Sequence, residues 1–227
     1  MRFLSELEKK PWSADDTSRF GGAAASGLLV LSIFCMPLLM QKFPGERLGF
    51  PDMMLLCSLP GICAYGFFSA EKLPLRFLKR NEIRPLLKFG LLLLLVTGVV
   101  NFLWKELLTI LAIEFEAEQQ AVKIIQNTQE ADKVKLFFGL CIFVPLIEEL
   151  LFRRIIYGFL LRVNWRTALL LTALLFSLCH FFAAGIPGLF VLGLGFQLAY
   201  LKFRNLSAAV ILHVMVNTAA FINAAGR

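Results

Sequence analysis

The stretch PLIEELLFRR, residues 145–154, sets four charged side chains, Glu148, Glu149, Arg153 and Arg154, inside an apolar run that extends from about 134 to 162. A run of that length fits either a helix that crosses a bilayer or the central helix of a large soluble core. Composition decides between them. Of 227 residues, 58% are hydrophobic, 23 are Phe and only 17% are charged, which is more apolar than an ordinary soluble domain. The stretch is therefore read as lying in hydrocarbon, where ionisable groups are costly and usually mark function.

Outward from it, seven spans can be drawn, at about 21–41, 52–70, 86–111, 134–162, 166–184, 187–203 and 206–224. Each is close to the roughly 18 or more apolar residues of a crossing helix. The expected fold is all-α: a polytopic transmembrane helical bundle of about seven spans, a single integral membrane domain over 1–227 with no internal repeat. The fourth span is longer than a bilayer requires at about 1.5 Å per residue, so it is tilted, protruding or kinked near Pro145. The polar segment Met1–Phe20, with Glu6, Glu8, Asp15 and Asp16, does not read as a cleavable leader, so the first apolar run is expected to stay in the mature protein. The connection 112–133 mixes Glu114, Glu116, Glu118, Glu130 and Asp132 with Ile113, Phe115, Val122, Ile124 and Ile125. It reads as an interfacial helix, either a plain connector or a lid.

The net charge of +7 comes from Lys and Arg in short segments between apolar runs. No basic stripe or aromatic RNA-binding motif accompanies them, so no nucleic-acid partner is expected. Fourteen of these cations fall on the side of the N-terminus and seven on the other, which predicts a cytoplasmic N-terminus and an external C-terminus. The five cysteines, Cys35, Cys57, Cys63, Cys141 and Cys179, lie in apolar segments without zinc or disulfide spacing and read as small buried hydrophobes.

Helical spacing assigns partners among the buried polar residues. Glu149 and Arg153 are four apart and can pair, while Glu148, turned about 100° away, is left free to act as a base. His180 in the fifth span and His213 in the seventh are the only histidines. His213 and Asn217, four apart, present an imidazole and an amide to one cavity, and Phe176 stands one turn before His180. Counted from Arg162, Arg166 and Arg204 at the presumed cytoplasmic ends, Glu148, His180 and Asn217 fall about 20 Å from the inner boundary, with His213 one turn closer to the cytoplasm. That layer lies nearer the external face, beside the segment AAGIPG (183–188), which is either an ordinary tight turn or a bend that admits a peptide. A polar network that only fixes packing is the bland alternative. Two glutamates, two histidines and an asparagine at one depth point instead to acid–base chemistry.

These residues form three motifs: EExxxR (Glu148, Glu149, Arg153), FxxxH (Phe176, His180) and HxxxN (His213, Asn217). In this order on consecutive helices they resemble the CAAX-protease and bacteriocin-processing family (CPBP, or Abi) of intramembrane proteases, the family of the type II CAAX prenyl endopeptidases. The resemblance covers about 134–224, the expected catalytic core. It implies a glutamate-type endopeptidase in which Glu148 and His180 activate a water and His213 with Asn217 stabilise the oxyanion. It also implies a membrane-associated protein or peptide as substrate, the lipid bilayer as partner, and a multi-pass place in a bacterial inner membrane. No cofactor is expected. Some descriptions of the family make it a metalloprotease, and two histidines with a glutamate could supply three zinc ligands, so a zinc-dependent version stays open. A non-catalytic scaffold or bacteriocin self-immunity factor using the same pocket is the alternative from another class. A transporter is disfavoured by the lack of an inverted repeat. The chain has no HExxH, its aspartates Asp15, Asp16, Asp52 and Asp132 all fall in or beside connections, and no G-x-S-x surrounds Ser177, so other intramembrane protease chemistries fit poorly.

Overall fold

The computed structural model describes residues 75–114, 119–161 and 163–226, the side chain of Gln120 excepted. The expected spans 21–41 and 52–70 lie outside the described residues, within which every regular element is helical. Helix α1 is Arg80–Ile110 and α2 is Gln120–Asn127. Helix α3, residues 130–160, is continuous through five segments: Glu130–Phe138, Gly139–Phe143, Val144–Glu149, Leu150–Ile156 and Tyr157–Leu160. Helix α4 is Trp165–Leu178, α5 is Ile186–Phe203 and α6 is Leu206–Ala225.

The helix starts follow from local chemistry. Asn164 caps α4 by accepting the Thr167 N–H at 2.8 Å, and Asn205 caps α6 by accepting the Ser207 N–H at 3.1 Å. Pro187 sits in the first turn of α5, where its missing N–H costs nothing. At the start of α1, Glu82 accepts from the Lys79 N–H and from both terminal nitrogens of Arg76, each of the latter at 2.7 Å. Arg76 in turn exchanges backbone hydrogen bonds with the Asn205 amide, which ties the start of α1 to the α5–α6 turn.

The protein is a membrane protein built as an all-α bundle. Helix α1, the segment Ala183–Phe203 and α6 are long and apolar enough to cross a bilayer. Outward-facing Leu91, Leu95, Val99 and Phe102 make α1 apolar on its exposed face, the face a membrane helix turns to lipid. The main core lies where α3, α4, α5 and α6 meet, around Leu150, Phe152, Phe176, Phe196 and Leu212. A second cluster joins Ile125 of α2 to Leu136 and Cys141 of α3 and Phe221 and Ala224 of α6. The helix expected in the connection after α1 is therefore present as α2, packed on the end of the bundle. The fourth expected span is a single long helix, and widened π-type turns at Gly139–Phe143 and Leu150–Ile156 flank the segment that contains Pro145.

Small residues let the helices approach closely, as membrane helices require without a hydrophobic drive between them. A Cβ on Gly193 of α5 would lie 3.1 Å from Phe176 Cδ1 and 3.2 Å from Ala173 Cα on α4. Gly98 on α1 has open space around it. Gly193→Leu is therefore expected to push α5 from α4 and destabilise by about 1–3 kcal/mol. Gly98→Ala should hold or raise stability by up to about 1 kcal/mol. Thermal unfolding in detergent compares the two, and equal midpoints would remove the close-packing argument.

Candidate active site

The site is built around Glu149 of α3, which has no exposed surface. Its Oε2 accepts from Arg153 Nε at 2.7 Å; its Oε1 accepts from Arg153 Nη2 at 3.3 Å and from His213 Nδ1 at 2.9 Å. The four-residue spacing delivers the Arg153 contact as the sequence predicts. The His213 contact comes from α6 and turns the expected pair into a triad. Arg153, also fully buried, runs among three rings, its guanidinium carbon 5.1 Å from the centre of Phe176, 5.8 Å from Phe196 and 6.0 Å from Phe152. A carboxylate and aromatic faces thus surround most of this cation.

Hydrogen-bond chemistry then fixes both imidazoles. A carboxylate paired with arginine can only accept, so His213 Nδ1 carries a proton. Its Nε2 faces Glu148 Oε2 at 3.6 Å, and that oxygen has no hydrogen-bond partner. His180 Nδ1 donates to the Phe176 carbonyl at 2.8 Å, because a carbonyl too can only accept, and its Nε2 remains the basic nitrogen. The Phe176 ring stands between the histidines, 4.8 Å from His180 and 5.7 Å from His213, and Phe196 stacks on His213 at 4.7 Å with planes 21° apart. Glu148, Glu149, Arg153, His180 and His213 are thereby brought together about one aromatic corner.

The structure departs from the sequence reading at the end of α4 and decides between its two alternatives for AAGIPG. Helix α4 stops at Leu178 rather than near 184. Phe181 adopts a left-handed φ of 49°, which non-glycine residues rarely take, so His180 stands at the exit of the helix and not within it. A 3₁₀ turn, Ala183–Gly185, then leads into α5, so AAGIPG is a tight turn.

The layer is also set by His213, not Asn217. Asn217 Nδ2 donates to the Leu140 carbonyl at 2.9 Å, eight residues before Glu148 or about 12 Å along the helix. The cause is local to α3. In the widened turn the Val144 N–H bonds the Gly139 carbonyl, and Pro145 has no N–H to give. Leu140 is left without an intrahelical donor, and Asn217 supplies one.

The stacking of Phe196 was the other contributor the sequence reading missed. Its signal was faint: a large ring between the glycines of GLGF and a polar Gln197, on a helix otherwise apolar. Both Glu149 oxygens and His213 Nδ1 are already engaged, which leaves Glu148 Oε2, His180 Nε2 and His213 Nε2 as the atoms a metal would need, and no three His, Cys, Asp or Glu side chains converge as ligands among the described residues.

Comparison with known proteins agrees with this part of the chain. Residues 130–219, from the start of α3 into α6, match the family model of type II CAAX prenyl endopeptidases of the Rce1-like kind. The membrane-embedded CAAX protease MroQ of Staphylococcus aureus (strain USA300) is 32% identical over 107 residues, 42% of this chain and 43% of that protein. The aligned part thus spans less than half the length of that relative. No solved structure matches the chain.

Three variants probe the buried bonds. Arg153→Ala strands the Glu149 carboxylate and should cost about 3–5 kcal/mol, with Arg153→Lys intermediate because it keeps the charge but loses the forked contact. Asn217→Ala leaves the Leu140 carbonyl unpaired and should cost about 1–3 kcal/mol. Purified yield and thermal midpoint in detergent report all three. A wild-type midpoint for Asn217→Ala would remove its capping role.

Proposed function

We propose that this chain, whose residues 130–219 match the family model of type II CAAX prenyl endopeptidases, is an intramembrane endopeptidase of the glutamate type acting on a membrane-associated protein or peptide. The observation that carries this reading is the unpartnered Glu148 Oε2 at 3.6 Å from the Nε2 of an imidazole that a buried carboxylate holds by its other nitrogen. At 3.6 Å the two groups do not hydrogen-bond, and the tightening that a bound substrate brings would put them within proton-transfer reach, which is what hydrolysis needs.

In the proposed reaction, a water held by His180 Nε2 gives a proton to Glu148 as its oxygen attacks the peptide carbonyl carbon. The oxyanion that forms accepts a hydrogen bond from His213 Nε2 once that nitrogen carries a proton, while Asn217, bound to the Leu140 carbonyl, holds α6 in place. The C–N bond then breaks as Glu148 returns the proton to the leaving nitrogen. Glu149 and Arg153 touch no reacting atom in this scheme. They hold the His213 ring and its tautomer, as a carboxylate behind a catalytic histidine does. No step uses a metal.

Glu148→Ala and His180→Ala are each expected to lower proteolysis by at least about 100-fold while the protein accumulates at the wild-type level. Chelators should leave activity in place. Membranes carrying Glu148→Ala should accumulate uncut substrate detectable by proteomic comparison with wild type. Near-normal turnover by Glu148→Ala would move the reading to a binding scaffold, and activity restored only by adding back one tightly bound metal per chain would replace the glutamate mechanism.

The charge bias supports a cytoplasmic N-terminus, with the His180 end of α4 toward the outside. Phe181 and Val163, exposed at opposite ends of α4, are suitable labelling positions. Single cysteines there, with the native five replaced, should give Phe181→Cys open to an impermeant external thiol reagent and Val163→Cys protected. The reverse pattern would place the proposed cleavage on the cytoplasmic side.

A further inference from the structure

Below the site, four side chains hold polar atoms without a hydrogen-bond partner: Arg153 Nη1, Tyr157 Oη, Thr172 Oγ1, and both Oε1 and Nε2 of Gln197. None of the four side chains has exposed surface. Most buried polar atoms in folded proteins are satisfied, and an amide with neither end satisfied is rare.

Helix geometry places the four together. Arg153 of α3 lies against Phe176 of α4 and Phe196 of α5. Gly193 of α5 packs on Ala173 and Phe176. From that level, Tyr157 is four residues on from Arg153, Thr172 is four back from Phe176, and Gln197 is four on from Gly193, so each lies one turn away on the same face. Because α4 runs opposite to α3 and α5, all three steps go the same way, toward the α3–α4 connection. The segment Tyr157–Leu160 packs on α4, and α4 packs on α5, which closes the group.

We infer that Tyr157, Thr172 and Gln197 enclose an internal water site that completes the hydrogen bonds of Arg153 Nη1. The donor set suits water: a hydroxyl on two sides, an amide that can both give and accept, and a guanidinium N–H, against the two to four partners a buried water takes. Its consequence for the site is positional. The water holds the guanidinium in the plane that gives Glu149 its forked contact, and Glu149 holds His213. The inference stands on burial and geometry alone and does not depend on the chain being a protease.

Near-isosteric replacements decide it by the sign of their effect. Gln197→Met and Thr172→Val remove the polar atoms at nearly constant volume. If water is bound, each lowers the thermal midpoint in detergent by roughly 2–4 °C. Together they lose less than the sum, because both act on one network, and Thr172→Ser keeps the wild-type midpoint. In a dry cluster the same replacements relieve buried unpaired atoms and raise the midpoint, with additive effects, which would overturn the inference. A second measurement needs no variant: brief X-ray radiolysis of the native protein makes hydroxyl radicals at bound water. Oxidation of fully buried Tyr157, with exposed Phe181 as the positive control, is expected; an unmodified Tyr157 beside a labelled Phe181 would overturn it.

Discussion

One carboxylate organises this structure. Glu149 has no access to solvent and no means of keeping its charge except through Arg153 on its own helix and His213 on α6. A charge so placed is tolerated only with near-complete hydrogen bonding, so its partners cannot drift. The stacking of Phe196 on His213, and the packing of Phe176 between the two imidazoles, follow from where Glu149 fixes the ring. Glu148, one residue away, inherits a defined neighbour without being bonded itself. The bonded carboxylate sets the geometry, and the unbonded one is left available.

The sequence carried the helical class and the cast of polar residues, because burying charges in apolar runs leaves a visible pattern. Four-residue spacing was enough to predict the Glu149–Arg153 pair. It could not predict that Glu149 also holds His213, since that contact joins residues 64 apart and depends on the register of α6 against α3. Depth counting from terminal arginines carries an error of about one helical turn, and that error interchanged the levels of His213 and Asn217. The early end of α4 was hidden for a different reason. Cys179, His180 and Phe181 are not helix breakers, and the left-handed backbone at Phe181 is imposed by the turn into α5.

Asn217 shows how a motif residue can answer to two demands. Pro145 and the widened turn before it leave a carbonyl on α3 that only a side chain from elsewhere can satisfy. The defect in one helix is therefore repaired by the other, and α6 is held in register against α3 at two points, by His213 on Glu149 and by Asn217 on Leu140.

The shortness of α4 has a consequence for the surrounding lipid. Its 14 residues span about 21 Å, whereas the hydrocarbon core of a typical bilayer is about 30 Å thick. Where a helix falls short of that thickness, the bilayer thins or the polar boundary dips to meet it, at a modest cost for each ångström of mismatch. His180 stands at one end of that short helix, where a thinned or dipping boundary would draw headgroups and water toward the site and make membrane thickness a variable to which this protein is exposed.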